Sequence, residues 1–467
     1  MGGDGGAIMI FSFFGEGFAS GPVSSRRKQC RLYYLHEASK LSYHLRMPGV
    51  AAHVGSLWAP KGGYVLRISP AFDLEAFESG LIAIANGEKE LQLPNSIKSN
   101  AVGASAALIQ LIITWSRRSD KEGRLRLYAK NENDPSLQNF ARTSFGLIAL
   151  NMAHNIELVS GLPISRKDAL ERARDFVVAM HSLPVSKIRE ISKSTIPFIC
   201  MDNAAEYGRP TRLYIPGTEE VRDRKDFESL LISCCEELPI GRILDRERYI
   251  EPAASLIYEA FHNTDDHART NFKKERIRRS VRGILIGYHH IALSGLARST
   301  GNHKPLQQYF ADWRPDRENA KHAQFLEISI FDSGSGLAQR WLGLKDRLKN
   351  GILEDGVGIR EEYEAVSECL RKRASTIEDE TKGNGLFRIM QVVKKCGGFI
   401  RVRSGRLSLI KAFKANPLAG VSDHDLAMED MNAGRKPSFE HKRLYDRAWA
   451  EGTVITAMLP LNRGLQQ

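Results

Sequence analysis

The most constraining feature of this chain is an alternating apolar segment that runs directly into a turn containing two glycines. Leu326, Ile328 and Ile330 alternate with other residues, as a strand with one buried face requires. The segment continues into Asp332-Ser-Gly-Ser-Gly336, where glycines allow the backbone to turn tightly. The pattern predicts a strand that ends in a carboxylate and a glycine turn. Taken alone, it is also typical of an ordinary Asp-Gly turn after a strand.

A second segment, from Leu256 to Ala268, predicts an amphipathic helix with a polar stripe. Glu259 and Asn263 are four residues apart and therefore share one helical face, which Asp266 and His267 continue. Pro252 suits the first turn of such a helix. An ordinary helix with a solvated polar face gives the same pattern, so the segment has meaning only together with the others.

The third segment is Lys382-Gly-Asn-Gly-Leu-Phe-Arg-Ile-Met390, a glycine-rich turn that opens a predicted helix. Gly397 and Gly398 stop this helix as a C-terminal cap does. Backbone amides at the start of a helix favour anions. The residues after it predict a hairpin at 399–410 and a closing strand from Gly452 to Pro460.

Together, the order and spacing of these segments over residues 241–463 resemble the ATP-binding domain of the GHKL superfamily, shared by gyrase, mismatch-repair ATPases and sensor histidine kinases. The resemblance implies an α/β fold: a two-layer sandwich in which a mixed sheet is covered by helices on one face, joined to an N-terminal β/α module. It also implies ATP and Mg²⁺ as cofactors. Consistency across several motifs is the reason for the assignment.

The resemblance also implies residue roles. Glu259 would polarise the attacking water, Asn263 would ligate magnesium and Asp332 would accept a hydrogen bond from the adenine amino group. Lys382 stands beside the glycines and could reach a phosphate. The remaining expected nucleotide contacts are Asp266, His267, Gly334, Gly336, Gly383, Gly385, Leu386 and Thr453.

Three stretches depart from the family pattern. Residues 338–381, between the second and third segments, are long and charged, and occupy the place of a mobile ATP lid. Polar insertions are predicted at 295–321 and 411–451. The insertions and the long lid suggest a regulatory role with a protein partner or a homodimer. By analogy at the level of the fold, the setting is a stress or defence system.

The N-terminal half is less informative. Residues 1–62 are glycine-rich and then basic, with an undefined role. Residues 63–165 alternate strand and helix patterns and faintly resemble STAS domains, in which a Ser or Thr before a helix can be phosphorylated. The matching zone here is Ser99 to Ser105. Residues 166–240 are predicted to connect the two halves.

Composition limits the setting and the partners. The formal net charge is +12 and the isoelectric point about 9.3, a balance compatible with a nucleic-acid partner or with a merely basic surface. Six cysteines without a CxxC pair predict a reduced, cytoplasmic chain without a zinc site. No apolar stretch is long enough for a membrane-spanning helix, so no membrane partner is expected.

Three functional hypotheses remain open from the sequence. The first is an ATPase whose nucleotide-driven closure acts as a switch. The second is a Ser/Thr protein kinase of the anti-sigma type, acting on a STAS-like partner or on its own N-terminal module. The third is an ATP-sensing adaptor that binds nucleic acid without turnover. The ATPase is favoured because Glu259 is present and because no paired helices surround His36 or His44, the nearest candidate phosphoacceptors.

Overall fold

The computed structural model describes residues 65–98, 101–193, 195–202, 209–240, 244–271, 273, 275–296, 303–311, 313–316, 320–344, 357–371, 385–413, 426–432 and 444–463. Residues 1–61 form one unit, which lies outside these ranges, and residues 62–467 form a second compact unit. The predicted N-terminal segment 1–62 therefore falls outside the described residues. The described helices and strands all belong to the second unit.

The second unit begins with a parallel sheet whose four strands follow one another in the order β1-β2-β3-β4. The strands are β1 (Val65–Arg67), β2 (Glu90–Leu93), β3 (Arg124–Leu127) and β4 (Asn155–Leu158). The helices between them are α1 (Leu74–Ala85), α2 (Ala104–Ser119), α3 (Pro135–Ala141) and α4 (Ser144–Met152). The predicted β/α alternation over residues 63–165 is confirmed, and β4 is a strand that the sequence did not reveal.

Local signals explain where these helices begin. The Asp73 carboxylate accepts a hydrogen bond from the Ala76 amide at 2.8 Å and thereby caps α1. Residues 135–152 form two helices, α3 and α4, because Thr143 caps a new helix by accepting a hydrogen bond from the Gly146 amide at 2.9 Å. A Cβ on Gly146 would lie 2.0 Å from the Phe140 carbonyl oxygen, so this break requires glycine.

The predicted connecting region, residues 166–240, contains helices and one strand of the second sheet. Four helices occupy it: α5 (Arg166–Glu171), α6 (Arg174–His181), α7 (Val185–Ile191) and α8 (Arg224–Glu237). The strand β5 (Thr195–Met201) pairs with β6 (Val281–Ala292) of the second sheet. The second sheet therefore starts upstream of the predicted boundary at residue 241, because its edge strand is supplied by this region.

The second sheet has seven strands in the order β10-β9-β8-β11-β7-β6-β5. Its remaining strands are β7 (His322–Asp332), β8 (Phe399–Gly405), β9 (Leu407–Ala412), β10 (Glu429–Asp430) and β11 (Ala450–Pro460). Each strand pair is antiparallel, so the expected mixed sheet is wrong in that detail, whereas the α/β class is confirmed. The antiparallel order follows from the hairpin connection of β8 with β9 and from the return of β11 between β8 and β7.

Helices pack on both faces of the second sheet. On one face lie α9 (Glu251–His267) and α13 (Gly385–Cys396), which also pack against each other. On the other face, α2 of the first sheet packs against β11 and β7. Three shorter helices are also present: α10 (Lys304–Ala311), α11 (Leu337–Leu344) and α12 (Ile359–Cys369). The expectation of helices on one face alone is therefore wrong, because α2 is buried between the two sheets.

Buried polar contacts hold α2 and α1 against the second sheet. The Gly103 amide, at the start of α2, donates to the Glu327 carboxylate at 3.0 Å. Glu327 also contacts His289 Nε2 at 2.7 Å and accepts from the Ser329 hydroxyl at 3.0 Å. Arg403 of β8 donates from Nε to Glu78 of α1 at 3.0 Å. A buried charge is costly unless it is paired and hydrogen-bonded, and both of these charges are.

No helix within the described parts of the chain combines the length and the apolar character that a membrane-spanning segment needs.

Candidate functional site

The helix α9 carries the first group of predicted site residues on its polar side. Its apolar residues Leu256, Ala260 and Phe261 are buried, and they hold the helix on the sheet. Glu259 and Asn263 occupy the adjoining, half-buried side. The amphipathic pattern therefore fixes which residues of α9 remain available to a ligand.

Glu259 is held between two arginines from different helices. Arg224 of α8 donates to Glu259 Oε1 at 3.2 Å, and Arg388 of α13 donates to the same oxygen. The Glu259 side chain is 12% exposed, whereas the two arginine side chains are about half exposed. One carboxylate thus faces two guanidinium groups, which leaves a local excess of positive charge. The sequence did not predict either arginine.

Asn263 and Gly385 bring the first and third segments together. A Cβ built on Gly385 would lie 3.2 Å from the side-chain oxygen of Asn263. Gly385 is the first residue of α13, so the Asn263 amide lies at the start of that helix. The Asn263 amide group and Gly385, 122 residues apart in the chain (385 − 263), therefore form one surface.

Asp332 ends β7 and lies buried on the same side of the sheet as α9. Its Oδ1 accepts a hydrogen bond from the Gly334 amide at 2.8 Å. Burial raises the pKa of the Asp332 carboxyl to about 6, although the Gly334 and Thr453 amides and the Arg282 charge act in the opposite direction. A carboxylate at this depth can accept hydrogen bonds from a ligand while it remains ionised at neutral pH.

The turn after Asp332 is packed against the end of α9. A Cβ on Gly334 would lie 2.8 Å from Ala268 Cα, so only glycine permits this approach. Gly336 has a φ of 80°, and a Cβ there would lie 2.8 Å from the Ser404 hydroxyl oxygen. The two glycines of the second segment are thus required by backbone proximity and by a left-handed conformation, respectively.

Thr453 lies directly across from Asp332 in the register of β11 and β7. Its hydroxyl is 3.3 Å from the Ser404 hydroxyl, whose oxygen accepts from the Leu337 amide at 3.0 Å. These contacts place the closing strand beside the turn after β7. The predicted residue Thr453 therefore belongs to the same group as Asp332, and Ser404 is an additional member that the sequence did not indicate.

Asp266 and His267 lie in the last turn of α9. Asp266 Oδ2 is 3.2 Å from His262 Nδ1 of the preceding turn. Burial lowers the pKa of the Arg340 guanidinium while the charge of Asp266 raises it, so these two residues interact across the site. Arg340 also donates to the Thr270 hydroxyl at 3.0 Å. The helix α11, in the predicted lid, is thereby tied to the end of α9.

A buried arginine beneath the site was not anticipated from the sequence. Arg282, directly across from Asp332 in β6, is fully buried. It contacts Asp202 at 2.7 Å and Asp265 at 2.8 Å, and it donates to the Tyr214 hydroxyl at 2.7 Å. Since Asp265 belongs to α9, this network fixes the helix to β6. The network joins residues that are far apart in the sequence, so only the folded structure reveals it.

The other predicted residues are partly accounted for. Leu386 is half-buried in the first turn of α13 and packs against the core. Lys382 and Gly383 lie outside the described residues, as does Ser99. Ser105 lies half-buried in the first turn of α2. About half of the lid and of the two predicted insertions also falls outside, and the described half contains α10, α11, α12 and β10.

Within the described ranges, no group of three or more His, Cys, Asp or Glu side chains could hold a metal ion without further ligands. The Asn263 side-chain oxygen is a hard ligand of the kind that Mg²⁺ accepts, together with waters and phosphate oxygens. The residues at hand therefore fit a magnesium ion that arrives with a nucleotide. They do not fit a metal bound by the protein alone.

Comparisons with protein-family models, with curated proteins and with solved structures found no match.

Proposed function

We propose that this protein binds Mg-ATP at the junction of α9, α13 and the end of β7, and hydrolyses it as a conformational switch. The proposal is supported above all by the convergence of three sequence segments that are far apart in the chain. Asn263 lies against Gly385, and Ala268, at the end of the same helix, lies against Gly334. This convergence is what the GHKL resemblance requires, and an accidental set of turn motifs would not bring it about.

In this proposal Asp332 accepts a hydrogen bond from the adenine amino group. Its buried position makes it selective, since a buried acceptor left without a donor is unfavourable. Gly334 lets the backbone of the turn pass close to Ala268 beside the base, because any side chain there would collide with Ala268. Arg282, fixed by Asp202 and Asp265, supports the ionised form of the Asp332 carboxyl from below.

Asn263 and the start of α13 are placed to receive the phosphates. The first backbone amides of a helix favour anions, and Gly385 allows a phosphate or its magnesium ion to approach the Asn263 amide closely. The magnesium ion would supply charge neutralisation between the phosphates. Lys382 and Gly383 would complete this part of the site.

Glu259 orients the attacking water in this proposal, and its two arginines regulate it. In the arrangement described, Arg224 and Arg388 occupy Glu259 Oε1. Phosphate oxygens are strong partners for guanidinium groups. Bound phosphates would therefore draw the arginines away and release the carboxylate for water. Phosphoryl transfer depends mainly on such positioning and charge stabilisation, so few residues are needed.

The strand β7 connects the proposed nucleotide site with the first sheet. Asp332 ends this strand on the side of α9, while Glu327, five residues earlier, faces α2 on the opposite side. A shift of β7 on nucleotide binding would thus change the hydrogen bond between the Gly103 amide and the Glu327 carboxylate. The switch would act on the first sheet through this strand.

The test uses purified full-length protein, γ-labelled ATP and magnesium, and compares the parent with Glu259→Gln. A Glu190→Gln variant is the matched control, because Glu190 is an exposed glutamate paired with Lys187 on α7, outside the predicted lid. Free phosphate from the parent and the control, with ATP binding but no turnover in Glu259→Gln, is the expected result. Label on the protein would favour the kinase instead, and ATP bound without either product would favour the sensing adaptor.

A further inference from the structure

A cluster of arginines, none of which belongs to the candidate nucleotide site, lies at the seam between the two sheets. It comprises Arg117 and Arg118 in the last turn of α2, His154 before β4, Arg166 at the start of α5, and Arg278 and Arg279 before β6. The members come from four separate stretches of the chain, and we call them the seam cluster. Such a gathering of like charges opposes folding unless something else compensates for it.

Two members of the seam cluster are anchored by backbone carbonyl groups. Arg117 Nη1 donates to the Arg278 carbonyl at 2.8 Å. Arg279 Nη1 donates to the carbonyls of Met152 and Ala153, each at 3.0 Å. Because these acceptors are neutral, the anchors fix the guanidinium groups in place without cancelling their charge. Arg117 and Arg279 are thereby held in a defined geometry across the seam.

The remaining positive charge has few acidic neighbours. Glu451 pairs with Arg118 at 3.2 Å, and Asp120 acts on His154. Arg166 and Arg278 are exposed, and neither forms an ion pair with any residue that the structure describes. Burial, together with the charges of Arg166, Arg278 and Arg117, lowers the pKa of Arg279. The cluster therefore carries uncompensated positive charge at its exposed side.

Arg279 also has an unusual backbone. Its φ is 58°, in the left-handed region that residues other than glycine rarely adopt. Such a conformation is strained and persists where the surroundings enforce it, often at functional sites. Here the strain places two consecutive arginines, Arg278 and Arg279, so that one is anchored and the other is exposed.

We propose that the seam cluster binds the phosphate backbone of a nucleic acid. Guanidinium groups match phosphate oxygens in geometry and charge, and the cluster contains five arginines and no lysine. Its free members stand on open surface and come from different segments, so an extended polyanion can engage several of them at once. The net charge of +12 adds long-range attraction. Contacts of this kind give affinity without sequence preference.

The experiment measures binding of labelled single-stranded DNA, duplex DNA and RNA to the full-length protein by fluorescence anisotropy, from about 50 to about 200 mM salt. The test variant is Arg166→Glu with Arg278→Glu, two exposed residues whose side chains form no hydrogen bond or ion pair within the described ranges. The matched control is Lys187→Glu with Arg360→Glu, which changes the net charge equally at two exposed helical sites. Melting temperatures establish that both variants are folded.

The parent should bind at least one of these nucleic acids, and its affinity should fall with salt. The test variant should bind at least about tenfold more weakly, and its dependence of log affinity on log salt should be shallower by roughly one unit per arginine. The control should stay within about twofold of the parent. An equal loss in control and test variants would assign the effect to overall charge and overturn the proposal.

Two further outcomes would also overturn it. One is the absence of binding by the parent to all three nucleic acids. The other is parent binding to polyglutamate or to phosphatidylserine vesicles that is as tight as to nucleic acid and is lost in the test variant, which would assign the cluster to an acidic protein or a membrane surface. Neither outcome would bear on ATP binding, since the candidate nucleotide site and the seam cluster share no residue.

Discussion

Gly385 lies so close to Asn263 that a methyl group on the glycine would be 2.8 Å from the Asn263 amide nitrogen. Gly385→Ala should therefore displace this amide and weaken Mg-ATP binding by about tenfold, since overpacking of this kind costs about 1–3 kcal/mol. Titration calorimetry with Mg-ATP measures the effect. Gly295→Ala is the control, because no atom lies within 4 Å of the added carbon there. Unchanged affinity in Gly385→Ala would remove Asn263 from the proposed site.

Asp332 should make stability depend on pH in a direction opposite to that of most carboxylates. Its pKa is raised to about 6 in the folded protein, so the folded state binds the proton more tightly than the unfolded state does. Stability should fall as pH rises from about 4 to about 6, and the ionised group should cost about 3 kcal/mol above that range.

The variant Asp332→Asn has no such titration and should not show this fall. The melting temperature of the variant, relative to that of the parent, should increase between about pH 4.5 and about pH 7.5. Calorimetry without nucleotide measures both temperatures. Its affinity for ATP should nevertheless drop, because the amide offers one acceptor oxygen in place of two. A variant that melts in parallel with the parent across this range would show that Asp332 is not strained by burial.

Arg388 should be needed for turnover although it does not reach the base-binding end of the site. We expect Arg388→Gln to lower kcat/KM for ATP by about tenfold or more, since a hydrogen bond from a charged group contributes about 1.5–3 kcal/mol. Steady-state phosphate release measures this. The control, Arg124→Gln, removes an exposed arginine that pairs with Glu90 in the first sheet, and it should keep full activity. Parent-like activity of Arg388→Gln would confine Arg388 to a structural ion pair.

Glu327 should stabilise the contact between the two sheets at neutral pH. Burial raises the pKa of this carboxyl, but hydrogen bonds from His289, Gly103 and Ser329 prevail and hold it below its usual value. The stabilisation is therefore present above the pKa of the unfolded state and is lost as pH falls through the lower, folded value. Glu327→Gln should cost about 3 kcal/mol near neutral pH and less in acid.

Urea unfolding and hydrogen exchange of α2 measure the effect of Glu327→Gln. The control is Glu157→Gln on the outer face of the first sheet, where Glu157 pairs with Arg124 at 3.2 Å and both side chains are partly exposed. That variant should lose less than about 1 kcal/mol. Equal losses in the two variants, or loss of stability without faster exchange in α2, would contradict a role for Glu327 in joining the sheets.

The sequence predicted the helices and strands better than the way in which the strands pair. The alternation of Leu326, Ile328 and Ile330 predicted β7, and the Gly397-Gly398 stop predicted the end of α13. The strand β4 was missed although Ile156 and Leu158 alternate with polar residues as the two leucines of β3 do. The pairing of β5 could not be predicted, since its partner β6 begins 80 residues later (281 − 201) and no local pattern encodes that pairing.

The apolar sequence of α2 indicates where this helix lies. The helix is apolar almost all round, from Ala104 to Trp115, and a helix of that kind is buried on more than one side. That pattern predicts a helix between two layers, which is where α2 lies. By contrast, Arg282 and the arginines on Glu259 could not be predicted, because each contact joins segments that only the complete fold brings together.

The position of β11 has a consequence for how the protein is made. This strand is the last of the chain's strands, residues 450–460, yet it lies in the middle of the second sheet and joins β8 to β7. Until the ribosome has released it, β5, β6 and β7 form one fragment of the sheet, while β8, β9 and β10 form another. Both fragments have an open edge during that time, and open edges favour pairing with other chains. The nascent chain is therefore exposed to aggregation until residues 450–460 have emerged, and a nonsense mutation upstream of residue 450 would leave it permanently in that state.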